Sequence, residues 1–194
     1  LRALAHTSEV ASGDAEACRT LFQGVLKDQP MLMNLVAVGA NGYIFCSAKP
    51  LPPYPVYLGD RLYIETAIKT KTFTVSDYLV SRVTGDITTV FAHPHPGPTG
   101  DVSWLVIGGM DITWFKNQIA AANLPPQATV ILTDAHGVIL VHRVMSENGG
   151  DDMTGRSVLG TPLEQVLATD QEQVFEALAF DGGMHVFASV PLRI

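Results

Sequence analysis

The chain has 194 residues, 47% of them hydrophobic and 16% charged, with a formal net charge of −7; this composition excludes disorder and leaves room for one large domain or two small ones. No cluster of Lys and Arg offsets the negative balance, which argues against a nucleic-acid surface and against docking on anionic lipid. No stretch approaches the ~18 to 20 apolar residues that a membrane span needs.

Residues 1–11 and 14–28 show helical periodicity, broken at Ser12-Gly13-Asp14, a capping sequence followed by acid in the first turn. Residues 1–30 therefore read as an N-terminal helical segment. The chain opens on Leu in mid-helix, so it is expected to be a fragment of something longer. Cys18 falls on the apolar stripe Ala15, Cys18, Phe22, Val25, and Cys46 ends a strand of the hairpin that follows. Two buried thiols and one disulfide fit these positions equally well.

Apolar runs on both sides of Asn41-Gly42 predict a hairpin over 34–48. Pro50, Pro52, Pro53 and Pro55 then mark a loop that cannot join a sheet ladder. A short helix is expected near 63–70 and strands near 72–78, 87–93 and 102–110. Asp111 opens a further helix, and Pro125-Pro126 marks a module boundary. From Thr129 the pattern repeats: a hairpin around His136-Gly137, a polar loop over 146–154, a helix near 162–168, and strands near 173–180 and 184–190. Arg61 lies nineteen residues after Gly42, and Arg156 nineteen after Gly137. That shared spacing predicts two tandem modules of one α/β design, 31–125 and 126–194, the second lacking its last strand.

Catalytic motifs are absent: there is no Gly-x-Ser-x-Gly elbow, His-Glu-x-x-His, phosphate-binding Gly-rich loop with Lys, or Cys-x-x-Cys. No cofactor is expected. His93-Pro94-His95 comes nearest to a metal site, because alternate residues of an extended chain share a face, and Asp101 lies across the turn. A metal-dependent enzyme using His93 and His95 is thus one alternative. Asp151-Asp152 lacks the oxygen spacing of a calcium loop. The set best suited to a ligand is Tyr57, Arg61, Tyr63, Tyr78 and Asp111. Arg61 offers a planar fork for a carboxylate, the tyrosines offer apolar walls with hydroxyls, and Asp111 can receive an ammonium or hydroxyl group. Each also has a plainer role: Asp111 as a helix cap, Arg61 as an ion pair with Asp60 or Glu65, and Arg156 as an architectural copy of Arg61.

The chain as a whole resembles the double Cache sensor domain. The resemblance rests on Asn41-Gly42, Gly59-Asp60-Arg61-Leu62-Tyr63, Val75-Ser76-Asp77-Tyr78, Phe91-Ala92-His93-Pro94, Gly109-Met110-Asp111-Ile112 and Thr133-Asp134-Ala135-His136-Gly137. It implies an α/β (α+β) fold: a long N-terminal helix followed by two PAS-like modules with antiparallel sheets. It also implies the periplasmic or extracellular part of a bacterial inner-membrane receptor, without catalytic activity of its own. The output would be a histidine kinase, diguanylate cyclase or chemoreceptor, and a small-molecule ligand would sit in the membrane-distal first module. A Cys18–Cys46 disulfide is implied as well. A homodimer would run along the helix that bears Leu1 and Leu4. The amino-acid-binding branch uses a Tyr, an Arg followed by Trp-Tyr, a later Tyr and an Asp. Tyr57, Arg61, Tyr78 and Asp111 can take these roles, although Tyr57 stands one residue nearer the Arg, Tyr63 replaces the Trp and Ile64 the adjoining Tyr. The expected ligand is accordingly a small carboxylate held by Arg61. The remaining alternative is a non-sensing adhesion or scaffolding module with Tyr63, Tyr78 and Trp104 packed as core.

Overall fold

The computed structural model describes residues 1–145 and 152–191; most of the polar loop 146–154, including Asp151, lies outside them. The chain forms two compact units, Leu1–Ala121 and Ala122–Ile194.

The first unit begins with three helices, α1 (Arg2–Ala5), α2 (Ser8–Ala11) and α3 (Ala15–Asp28). No single long helix forms. Thr7 and Asp14 have extended backbone, and Gly13 turns with φ +70°. The Asp14 carboxylate accepts from the amides of Glu16 and Ala17 and starts α3 afresh.

Seven strands follow: β1 (Leu32–Gly39), β2 (Ile44–Ser47), β3 (Thr74–Val75), β4 (Leu79–Val80), β5 (Ile87–Thr88), β6 (Val90–Pro96) and β7 (Val102–Met110), with α4 (Leu62–Thr70) between β2 and β3. Five of them make an antiparallel sheet in the order β2-β1-β7-β6-β3. The other two, β4 and β5, pair only with each other as a small hairpin.

Side chains of the central strands alternate between two cores, as the pleat requires. Leu35 and Ala37 of β1 and Val106 of β7 pack with Val10, Cys18 and Phe22 of the helices. Val36 and Val38 of β1 and Leu105 and Ile107 of β7 pack instead with Ile64 and Ala67 of α4. Burial on both faces explains why 35–38 is continuously apolar rather than alternating. On the helical side Cys18 is disulfide-bonded to Cys46 of β2, with 6.2 Å between their Cα atoms. Leu1 and Leu4 pack against this same core, so their apolar surface is partly spent within the unit. The unit closes with α5 (Ile112–Ala121).

The second unit holds β8 (Thr129–Thr133), β9 (Ile139–Val144), a 3₁₀-helix (Pro162–Leu167), β10 (Gln173–Leu178) and β11 (Met184–Ser189). Among its described residues, β8–β9 and β10–β11 form separate two-stranded sheets around Ile139, Val158, Leu163 and Ala177.

The internal repeat is visible at the hydrogen-bond level, in a register that differs from the sequence spacing. Ile44 N–H donates to Val56 O and Leu58 N–H to Gly42 O in the first unit. The corresponding bonds in the second run from Ile139 to Arg156 and from Val158 to Gly137. Arg156 therefore matches Val56. The counterpart of Arg61 is Thr161: Arg61 N–H bonds to Leu58 O at 3.0 Å and Thr161 N–H to Val158 O at 3.1 Å, and each residue is the N-cap of the helix that follows. The connection from turn glycine to this bridge is 16 residues long in one case (42 to 58) and 21 in the other (137 to 158), so equal spacing from the glycine points to the wrong residue. An architectural Arg shared by both units is excluded.

Candidate functional site

On the α4 face of the first sheet lies a cavity lined by, among others, Asn34 and Val36 of β1, Arg61 and Tyr63 at the start of α4, Ile107 and Gly109 of β7, and residues 79–83 of the β4–β5 hairpin. It offers about 40 Å³ in which the centre of a water-sized sphere can move, room for roughly three waters or one solute of about four or five heavy atoms.

Each polar group reaches the cavity for a local reason. Arg61 stands at the N-cap of α4 with extended backbone and makes no side-chain capping bond. Its guanidinium donates to Val80 O of the hairpin at 3.2 Å. Tyr63, in the first turn of the helix, is buried against the sheet. Burial pushes its phenol up to about 12, against the opposing pull of the Arg61 and Arg82 charges. Asn34 is committed elsewhere, donating to Ser47 Oγ and accepting from the amides of Leu35 and Lys49. Arg82, in the turn of the hairpin, forks onto Asp60 at 2.6 and 2.8 Å and also donates to Tyr57 O at 2.6 Å. This pairing holds the Asp60 carboxyl below the ordinary carboxylate range.

Of the five residues expected to hold a ligand, the structure brings Arg61 and Tyr63 to the cavity and leaves three off its lining. The Tyr57 ring is exposed and tilts against Tyr43, 5.0 Å between centroids. Tyr78 is half-buried in the link between β3 and β4. Asp111 caps α5, its carboxylate accepting from Trp114 N–H at 3.1 Å. Neither Asp60 nor Glu65 bonds the Arg61 side chain; Asp60 is taken by Arg82. The residue that sequence reasoning missed is Arg82. A signal existed in Thr84-Gly85-Asp86, a turn in which Gly85 has φ +77°, flanked by short apolar pairs.

His95 stacks on Trp104, 4.0 Å between ring centroids, and its Nε2 lies 3.1 Å from Nδ1 of His6. His93, His95 and Asp101 do not bring three ligand atoms within 4.8 Å of one another, so this strand builds no metal centre with them.

No family model matches the chain, and no curated protein does either. Solved structures do. The extracellular domain of the candidate histidine kinase rpHK1S-Z16 superposes with a TM-score of 0.74 at 17% identity, over 88% of this chain and 69% of the other. The chain has the fold of this extracellular domain. The ligand-binding domain of the Pseudomonas fluorescens chemoreceptor CtaA, in complex with L-serine, gives 0.64 at 17% identity over 95% of this chain and 76% of that one. The Pseudomonas aeruginosa amino acid chemoreceptor PctB, in complex with L-Arg, gives 0.65 at 16% over 95% and 74%.

Proposed function

We propose that the chain is the extracytoplasmic ligand-sensing part of a membrane receptor, with a histidine kinase as output, and that it binds a small monocarboxylate at Arg61. The observation that carries this reading is the placement of Arg61 against a cavity in the first unit, where the equivalent position of the second unit holds Thr161. A guanidinium retained in one copy of a duplicated design serves that copy's own chemistry. Its planar fork matches a carboxylate, and the low-dielectric surroundings strengthen the bond. No Asp or Glu is among the lining residues, and Asp111 spends its carboxylate on α5. An amino-acid ammonium would therefore lose its hydration without gaining a counter-charge. The Cys18–Cys46 disulfide supports an oxidising compartment. Because Leu1 and Leu4 are engaged in their own core, a homodimer through this segment would rest on other residues.

Calorimetry and thermal-shift titration with propionate and L-alanine test the reading. Propionate is expected to bind and to raise the melting temperature with the logarithm of its concentration above Kd. Arg61→Ala should weaken it by roughly 10- to 100-fold, the loss of one charge-assisted pair. Gly109→Val, which adds a side chain at a lining residue within 3.2 Å of Cε of Met33, which also lines the cavity, should block it. Equal propionate affinity in wild type and Arg61→Ala would overturn the assignment.

A further inference from the structure

The cavity is lined by two guanidiniums, and a single carboxylate decides what the second one does. Arg61 and Arg82 both line it, while Asp60 does not. Arg82 places both terminal nitrogens on Asp60 and shares one of them with Tyr57 O. The chain path makes this fork a strap. Arg82 sits in the turn of the β4–β5 hairpin, whereas Asp60 and Tyr57 belong to the segment leading into α4. The hairpin belongs to no larger sheet: its strands are two residues each, and Val80 and Ile87 are exposed. It is held to the unit through the Arg82 fork, the Arg61 bond to Val80 O, Thr84 Oγ1 donating to Met33 Sδ and Thr88 Oγ1 to Met110 O, and contacts of Leu79 and Val83 with the core.

We infer that Asp60 sets the charge selectivity of the cavity by withholding Arg82 from the ligand and strapping the β4–β5 hairpin over it. The inference rests on the carboxylate reading above and adds to it. Two guanidiniums and one carboxylate leave one net positive charge, and the Tyr63 phenol is neutral at ordinary pH. The site therefore suits a monoanion. A dianion would bring a second charge for which the lining holds no cation outside the Asp60 pair. If Asp60 becomes neutral, Arg82 is released, the net charge facing the cavity rises to two, and the hairpin loses its bidentate anchor. Asp60 is a positioning residue here, acting through Arg82 rather than by touching ligand.

The test uses the folded chain with propionate as the monoanion and sulfate, which is of similar size and fits the same cavity, as the dianion. It also measures hydrogen exchange of the hairpin without any ligand, at the amides of Ser81 and Gly85, which bond to Asp86 O and Ser81 O. Wild type should prefer propionate over sulfate by at least about tenfold, the worth of one uncompensated pair. Asp60→Asn should speed exchange at both amides and reverse the preference. Arg82→Gln should speed exchange equally and keep the preference for propionate, because only Arg61 then remains. Exchange unchanged in both variants would overturn the strap and the selectivity with it. A preference that stays put in Asp60→Asn, while propionate still binds, would overturn the role of Asp60 alone. If propionate binds none of the three proteins, the carboxylate reading on which the inference stands is overturned.

Discussion

Arg61 and Tyr63 sit two residues apart at the start of α4, the first half-buried and the second buried. The buried phenol responds by holding its proton. Tyr63 is expected to ionise only as pH approaches 12, so an absorbance titration at 295 nm should show a last tyrosine step that Tyr63→Phe removes. A second residue-scale requirement is Gly42. Its φ of +82° lies in the left-handed region, and a Cβ there would stand 2.8 Å from the Gly59 Cα, a backbone atom that cannot step aside. Gly42→Ala should therefore cost more than the ~1 kcal/mol usual for a misplaced Ala, and denaturant unfolding would measure it. Gly42 and the hairpin it turns were legible from sequence, since a Gly between two apolar runs has few other uses. The Arg82–Asp60 fork was not. Its partners lie 22 residues apart, and neither belongs to a periodic segment that would place them face to face.

At the scale of elements, the readable pieces were those with a strong apolar signal. Strands β1 and β7 carry long buried runs, β6 alternates and α4 buries a stripe, and their limits came within a few residues. The β4–β5 hairpin escaped because two-residue strands carry no period, and the Arg61 counterpart was misplaced because the second loop is five residues longer. The edge where α1 meets the sheet carries a prediction of its own. Trp104 Nε1–H donates to Ala5 O at 3.1 Å, and His95 lies between Trp104 and His6. An imidazole pair at 3.1 Å shares one hydrogen bond and cannot hold two positive charges. Burial, then His6, pushes His95 below its ordinary 6.5; burial, with Arg2, His6 and His95 adding to it, does the same to His93. Depressed histidine values mean that the unfolded chain takes up protons first. The stabilisation they report is complete above about pH 6.5 and is lost as pH falls through the folded-state values. Melting temperature followed from pH 7.5 to 5 should fall, with Trp104 fluorescence changing in step, and His95→Phe, which keeps the stacked ring, should flatten both curves.

For the whole molecule, the two units fold one strand-and-helix plan with different fillings, and the plan was more legible than the fillings. A mixed fold with antiparallel sheets followed from hairpin and helix signals repeated along the chain; a continuous N-terminal helix did not form, because Thr7 and Asp14 adopt extended backbone. The disulfide contributes most to the first unit. Closing a loop of 28 residues stabilises by about 3 to 4 kcal/mol in the chain-entropy treatment. Replacing Cys18 and Cys46 together by Ala should lower the melting temperature by roughly 10 °C, and scanning calorimetry under reducing conditions should show the same loss in wild type. The bridge also has a mechanical meaning. Alternate side chains of β1 and β7 touch the cavity core on one face and the helical core on the other, while Cys46 fastens α3 to the neighbouring strand. A guest that makes the sheet bow must drag α3 along with it, since a covalent rivet cannot slip the way packed side chains can. Volume gained on one side of the partition is thereby converted into displacement of a rod on the other.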